Sequence, residues 1–163
     1  EVPSRGLGDV YKRQIKKIFG NQPAGWYTGR CSENTLDLVI DNGSFLYCSD
    51  TYSDDLPYWI KKGNKKQLMV PYTLDNNDMR FATNQGFNSG EQFYNYLKDS
   101  FDTLYEEGKT SPKMMSVGLH CRLIGRPGRI QSLKKFLNYI TKFKDIWICK
   151  RVDIAKHWIK NYS

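Results

Sequence analysis

No run of apolar residues in this chain approaches the ~18 that a membrane-spanning helix requires, and no apolar segment with a small-residue cleavage site opens it. The expectation is a cytoplasmic chain with no membrane partner. There is no C-x-x-C pair, and Cys31, Cys48, Cys121 and Cys149 are scattered. Such cysteines read as reduced thiols, and their spacing argues against a zinc cluster. Zinc-finger, RNA-recognition and helix-turn-helix signatures are missing, as are a Walker lysine, internal repeats and low-complexity tracts. Nucleic acid is therefore not an expected partner despite a formal charge of +8. The lysine pairs Lys16-Lys17, Lys61-Lys62, Lys65-Lys66 and Lys134-Lys135 read instead as a solvated surface.

What is present is enough for a globular domain. The chain has 163 residues, 39% of them hydrophobic and 14% aromatic, which supports a core and argues against disorder. Residues Glu1 to Gln14 differ from the rest. They combine Pro3, Gly6 and Gly8 with alternating charges and no sustained apolar period, and are expected to be a non-native leader outside the packed domain of residues 15–163.

From Ile15 onward, strand and helix patterns alternate. Short apolar runs at Ala24–Tyr27, Phe45–Cys48, Leu68–Val70, Met114–Leu119 and Ile146–Cys149 predict about five parallel strands. Ser32 and Gly43 bracket one helix. A second opens at Ser89 with Gln92 three residues on, carries Phe93, Leu97, Phe101 and Leu104, and ends at Gly108. Pro127 suits the start of a third, with Ile130, Leu133, Leu137 and Ile140 as its stripe, and Asp153 is the expected cap of the last. The fold class is α/β with crossover connections. A compact doubly wound domain fits, and so does part of a (β/α) barrel, which normally needs ~250 residues. The start on a helix tail favours the partial barrel. The long irregular stretch from Pro71 to Asn88 has the length of a functional loop.

Reactive side chains gather at the carboxyl ends of parallel strands. His120 follows a strongly apolar run and is the expected proton donor or acceptor, whereas His157 falls mid-helix. Asp50, Asp54 and Asp55 follow the second strand, where carboxylates could hold substrate N–H groups or form turns. Trp59 there, like Trp26 and Tyr27 after the first strand, could supply an aromatic wall. Arg30 and Arg122 could clamp a carbonyl or carboxylate, and Asp75 and Asn77 lie in the long loop.

Gly25-Trp26-Tyr27-Thr28-Gly29-Arg30, the stretches Phe45 to Trp59, Val70 to Phe81 and Phe87 to Phe93, and Gly118-Leu119-His120-Cys121-Arg122 with Gly125-Arg126-Pro127-Gly128-Arg129 resemble the polysaccharide deacetylase (NodB homology) family. More narrowly, they look like its metal-independent allantoinase branch, and Arg151 to Trp158 is similar to that branch's tail. The resemblance covers nearly everything after Gln14. It implies the carboxyl-terminal half of a distorted (β/α) barrel. Val117-Gly118-Leu119-His120 is similar to the family's fifth motif, which makes His120 the general acid. Gln22-Pro23 departs from an Arg-Pro pair. The implied reaction is hydrolysis of a carbon–nitrogen bond in a cyclic amide, allantoin plus water giving allantoate, in purine catabolism. The implied cofactor is none, with zinc held by an amino-terminal half as the alternative for a sugar deacetylase. The expected partners are a small-molecule substrate and, in the intact parent, further copies of the chain. The chain by itself is expected to be inactive. A non-catalytic, basic α/β binding module is the reading from a different class.

Overall fold

The computed structural model describes residues 5–163, with side chains from residue 10 onward. Its order is helix α1 (Arg5–Phe19), strand β1 (Gly25–Trp26), α2 (Thr35–Asn42), β2 (Tyr47–Cys48), β3 (Tyr58–Lys62), β4 (Lys65–Met69), two 3-10 turns (Leu74–Asn76 and Asp78–Ala82), α3 (Gly90–Glu107), α4 (Cys121–Ile124), α5 (Pro127–Ile140) and α6 (Arg151–Asn161). The assignment as a mixed α/β fold holds. No helix among the described residues is long and apolar enough to cross a membrane. Residues 1–4, part of the expected leader, lie outside the described residues. From Arg5 the helix continues past Gln14 without a break.

The chain divides into two compact units. The first comprises residues up to Thr51, Pro57–Val70 and Lys150–Ser163. It holds one sheet in the order β1-β2-β4-β3. β1, β2 and β4 run parallel, in the register Gly25↔Tyr47, Trp26↔Cys48, Tyr47↔Leu68 and Cys48↔Met69. β3 is antiparallel to β4, from Tyr58↔Met69 to Lys62↔Lys65. Gly63-Asn64 makes the turn, and Gly63 has φ +56°, a backbone that glycine adopts without strain. Val39, Cys48 and Met69 are buried on this sheet, with Leu36, Phe45, Tyr58 and Ile60 packed around them. From α6, Arg151 Nη1 donates to Ser49 Oγ at 2.9 Å and to the Val70 carbonyl at 3.0 Å.

The second unit comprises Tyr52–Leu56 and Pro71–Cys149. Its core is the α3/α5 pair: Phe87, Phe93, Leu97, Ile124, Phe136 and Ile140 are buried, with Phe101, Met115, Val117, Ile130, Leu133 and Ile146 packed against them. Each buried Phe, Leu or Ile side chain contributes roughly 1.5–3 kcal/mol. The Ser89 hydroxyl accepts the Gln92 N–H at 3.3 Å, and the Gln92 side chain accepts the Asn88 N–H at 2.7 Å, so the predicted start of α3 is formed.

Several expectations are corrected. The sheet has three parallel strands and one antiparallel strand, not five parallel ones. Among the described residues Met114–Leu119 supplies a single parallel bridge, Gly118 with Asn77, and Ile146–Cys149 forms no strand. Met115, Val117 and Ile146 satisfy their apolar character by packing on the helices instead of in a ladder. On α5 the buried stripe passes through Phe136, while Leu137 is 44% exposed, because a 3.6-residue period turns that side chain outward. α2 begins at Thr35, after a turn in which the Ser32 carbonyl accepts the Thr35 N–H. Asp153 is not the cap of α6 but its third residue, and it accepts the N–H of Lys150, which is the cap.

Candidate active site

The site is built where two extended segments of the second unit run side by side. Thr73 N–H donates to Ser116 Oγ at 2.9 Å, and Ser116 N–H returns the bond to Thr73 Oγ1 at 3.1 Å. Further along, Gly118 N–H donates to the Asn76 carbonyl at 2.9 Å and Asp78 N–H to the Gly118 carbonyl at 3.0 Å. A Cβ at Gly118 would meet Tyr72 Oη at 1.8 Å and Asn77 Nδ2 at 2.6 Å, so any larger residue there would push these two side chains aside.

This zipper brings Asp78 to His120, across 42 positions of sequence. Asp78 is fully buried, and its two oxygens take three donors. Oδ1 meets His120 Nδ1 at 2.7 Å, while Oδ2 accepts His120 N–H at 2.8 Å and Ile124 N–H at 3.0 Å. The carboxylate thus ties α4 to the preceding turn and orients the imidazole. His120 itself has extended backbone, φ −120° and ψ 125°, as the residue before α4, and its side chain is 32% exposed. A carboxylate is an acceptor, so Nδ1 carries the hydrogen of that bond. Nε2 is then the nitrogen left for chemistry.

The other candidates have varied surroundings. Asn77 Oδ1 accepts the Met79 N–H at 2.7 Å and Nδ2 donates to Tyr72 Oη at 2.7 Å, so both ends of the amide are used inside the protein. Asp75 is exposed and accepts from Tyr96 Oη at 2.9 Å. Burial, and then this bond, raises the Tyr96 hydroxyl above its ordinary range. Arg80 is held between the Phe87 and Tyr96 rings, 4.5 and 4.7 Å from their centres. Asp54 closes a turn by accepting from Asp55 and Leu56 N–H, while Asp55 and Arg122 are exposed.

Five candidates belong to the first unit. Asp50 accepts the backbone N–H groups of Thr28 (2.8 Å) and Gly29 (2.9 Å), so it shapes the loop that carries Trp26, Tyr27 and Arg30. Arg30 and Tyr27 are exposed there, and Trp26 packs on Phe45 at 5.4 Å. Trp59 lies in the hairpin: its indole N–H donates to the Tyr162 carbonyl at 2.7 Å, and Lys66 sits 4.5 Å over its ring. An indole tied to the chain's own tail is a structural contact. Among the described residues no three His, Cys, Asp or Glu side chains come together as a metal site.

Sequence reasoning singled out His120 but passed over Asp78, which lies in the long stretch from Pro71 to Asn88. Nothing local marks it, because its partner lies in another segment.

No family model matches the chain. The chain is 46% identical, over 96% of its length, to a Schizosaccharomyces pombe protein that carries the name of a polysaccharide deacetylase, and it spans 55% of that relative. Among solved structures it resembles PuuE allantoinase, with 50% identity and a TM-score of 0.93 over 99% of this chain and 54% of that one. It also resembles a protein from Pseudomonas aeruginosa PAO1 described as a probable polysaccharide deacetylase. There the identity is 55% and the TM-score 0.89, over 93% of this chain and 51% of that one. A Mycobacterium smegmatis structure at 21% identity and TM-score 0.77 shares the fold. The chain thus spans about half the length of the relatives it matches. On these likenesses the chain belongs to the polysaccharide deacetylase family.

Proposed function

We propose that this chain is the histidine-bearing half of a hydrolase that opens a cyclic amide, with allantoin as substrate and allantoate as product. The observation that carries the reading is the buried Asp78 holding His120 Nδ1 at 2.7 Å. That bond fixes the ring with Nδ1 as the donor and leaves Nε2 as the nitrogen for proton transfer. Water adds to the amide carbonyl as its proton passes to a base that we assign to the amino-terminal half of the barrel, and the tetrahedral intermediate collapses as the imidazolium Nε2–H gives its proton to the departing nitrogen. The C–N bond breaks, and the ring opens to a carboxylate and an amide-type N–H. Support for allantoin over an acetylated sugar comes from the 50% identity to PuuE allantoinase. The relatives named for polysaccharide deacetylase favour the second reading, an N-acetyl-sugar deacetylase that uses the same proton donor.

The test is to assay the chain alone and fused to the amino-terminal half of PuuE allantoinase, with and without a chelator. The reading expects no enzymatic rate from the chain alone and allantoate release from the fusion that the chelator leaves intact. Release of acetate from chitooligosaccharides, lost with chelator and regained with zinc, would replace it with the deacetylase reading.

A further inference from the structure

The sequence contains one Asn-Gly pair, Asn42-Gly43, followed by Ser44. All three residues are exposed, where α2 ends. Two donors converge on the side-chain oxygen of Asn42. Lys12 Nζ, from α1, donates to Oδ1 at 2.7 Å, and the Ser44 hydroxyl donates to the same oxygen. An ammonium and a hydroxyl on a carbonyl oxygen draw electrons from its carbon. They also stand ready for the negative charge that gathers on the oxygen when that carbon is attacked. The nucleophile at hand is the next backbone nitrogen, and Gly43 puts no side chain beside it. Its surroundings are open, the nearest atom to a Cβ there being the Ile40 carbonyl oxygen at 3.9 Å. The Gly43 N–H is held by a bond to the Val39 carbonyl at 3.3 Å, in a terminal helical turn of the kind that frays.

We infer that Asn42 is a modification site, at which the folded chain converts an amide into a carboxylate by deamidation. The Gly43 nitrogen forms a bond to Asn42 Cγ and gives up its proton. The Cγ–Nδ2 bond breaks, and Nδ2 leaves as ammonia with that proton. The five-membered imide that remains is opened by water at either of its two carbonyls. Attack at Cγ leaves aspartate at position 42 in a normal main chain. Attack at the main-chain carbonyl carbon leaves isoaspartate, with the main chain running through the former side chain. Either product adds one negative charge where Lys12 of α1 meets the end of α2, and no group outside this corner takes part.

The experiment incubates the 163-residue chain at mildly alkaline pH, native and in urea, as wild type, Lys12→Met, Lys12→Arg, Ser44→Ala and Asn42→Gln. Peptide mass spectrometry locates the converted asparagine, ion exchange reads the added charge, and calorimetric Tm shows that each variant is folded. In the native chain Asn42 should convert ahead of every other asparagine. Lys12→Met and Ser44→Ala should each slow it by about 3- to 10-fold, the effect of one hydrogen bond, while Lys12→Arg keeps the donor and the rate. In urea the Lys12 variants should convert alike, because the donor from α1 is gone, and Asn42→Gln should gain no charge at position 42. Equal native rates in wild type, Lys12→Met and Ser44→Ala would overturn the inference. So would a native chain in which Asn42 converts no faster than the other asparagines, or one in which Lys12→Arg slows conversion as much as Lys12→Met.

Discussion

Replacing Asp78 by alanine should destabilise the chain more than replacing His120, although His120 is the residue with the reactive ring. Asp78 serves three donors, two of them the backbone N–H groups of His120 and Ile124. Alanine leaves both amides without their acceptor in a buried place, and an unsatisfied buried donor costs about 1–3 kcal/mol. Together with the lost bond to Nδ1, the expected loss is about 3–5 kcal/mol. At ~2–4 °C per kcal/mol for a chain of this size, Tm should fall by about 6–20 °C. Asp78→Asn keeps one oxygen for the two backbone donors but turns an N–H toward Nδ1. The imidazole must then move its hydrogen to Nε2, at a stability loss of about 1–2 kcal/mol. His120→Ala removes a side chain that is one-third exposed and leaves Asp78 its two backbone partners, for a loss near 1 kcal/mol. Urea unfolding of the three variants gives the ranking, and nitrogen-15 shifts of the His120 ring report the tautomer. Asp78→Ala within about 1 kcal/mol of wild type, or His120→Ala as damaging as Asp78→Ala, would refute the view that the carboxylate holds this segment together.

Other perturbations follow from the same geometry. Gly118→Ala should cost about 1–3 kcal/mol, since its methyl would overlap Tyr72 Oη and Asn77 Nδ2 and force those side chains, which are hydrogen-bonded to each other, to shift; calorimetric Tm measures it. Trp59→Phe removes one bond to the Tyr162 carbonyl and should cost about 1 kcal/mol while leaving allantoin turnover of the fusion unchanged. A large loss of turnover there would restore Trp59 to the site. Burial pushes the Cys48 thiol up to about 11 from the ordinary 9.0, so the native state keeps its proton where the unfolded chain has lost it. Stability from this group is complete below pH 9 and declines as pH rises toward 11. Urea midpoints across that range should fall less in Cys48→Ala than in wild type.

The elements legible in the sequence are those fixed by neighbours in the chain. Ser89 with Gln92, Pro127 and the αL residue Gly43 mark helix ends through bonds or torsions spanning a few residues, and these ends are where expected. Strands were read less well, because an apolar run says that side chains are buried without saying whether a ladder or a helix buries them. Ile146–Cys149 is the example. The β3–β4 hairpin was hidden by its lysines, although Gly63-Asn64 between β-forming residues was a usable turn signal. In the candidate site, His120 was visible from its place after an apolar run. Asp78 was not, since its importance comes from burial and from donors 42 and 46 positions away. Asp50, Asp54 and Asn77 show the opposite case. Their residue types suit a ligand, but their polar atoms meet backbone or a neighbouring side chain, which only the folded arrangement reveals.

The most direct measurement is allantoate release by the fusion protein with His120 intact and with His120→Gln, each accompanied by Tm. If His120 on Asp78 delivers the proton to the departing nitrogen, turnover should fall by ~10²–10⁴-fold while Tm moves by only a few degrees. Unchanged turnover in His120→Gln would contradict the account at its centre and remove the Asp78–His120 pair from the chemistry.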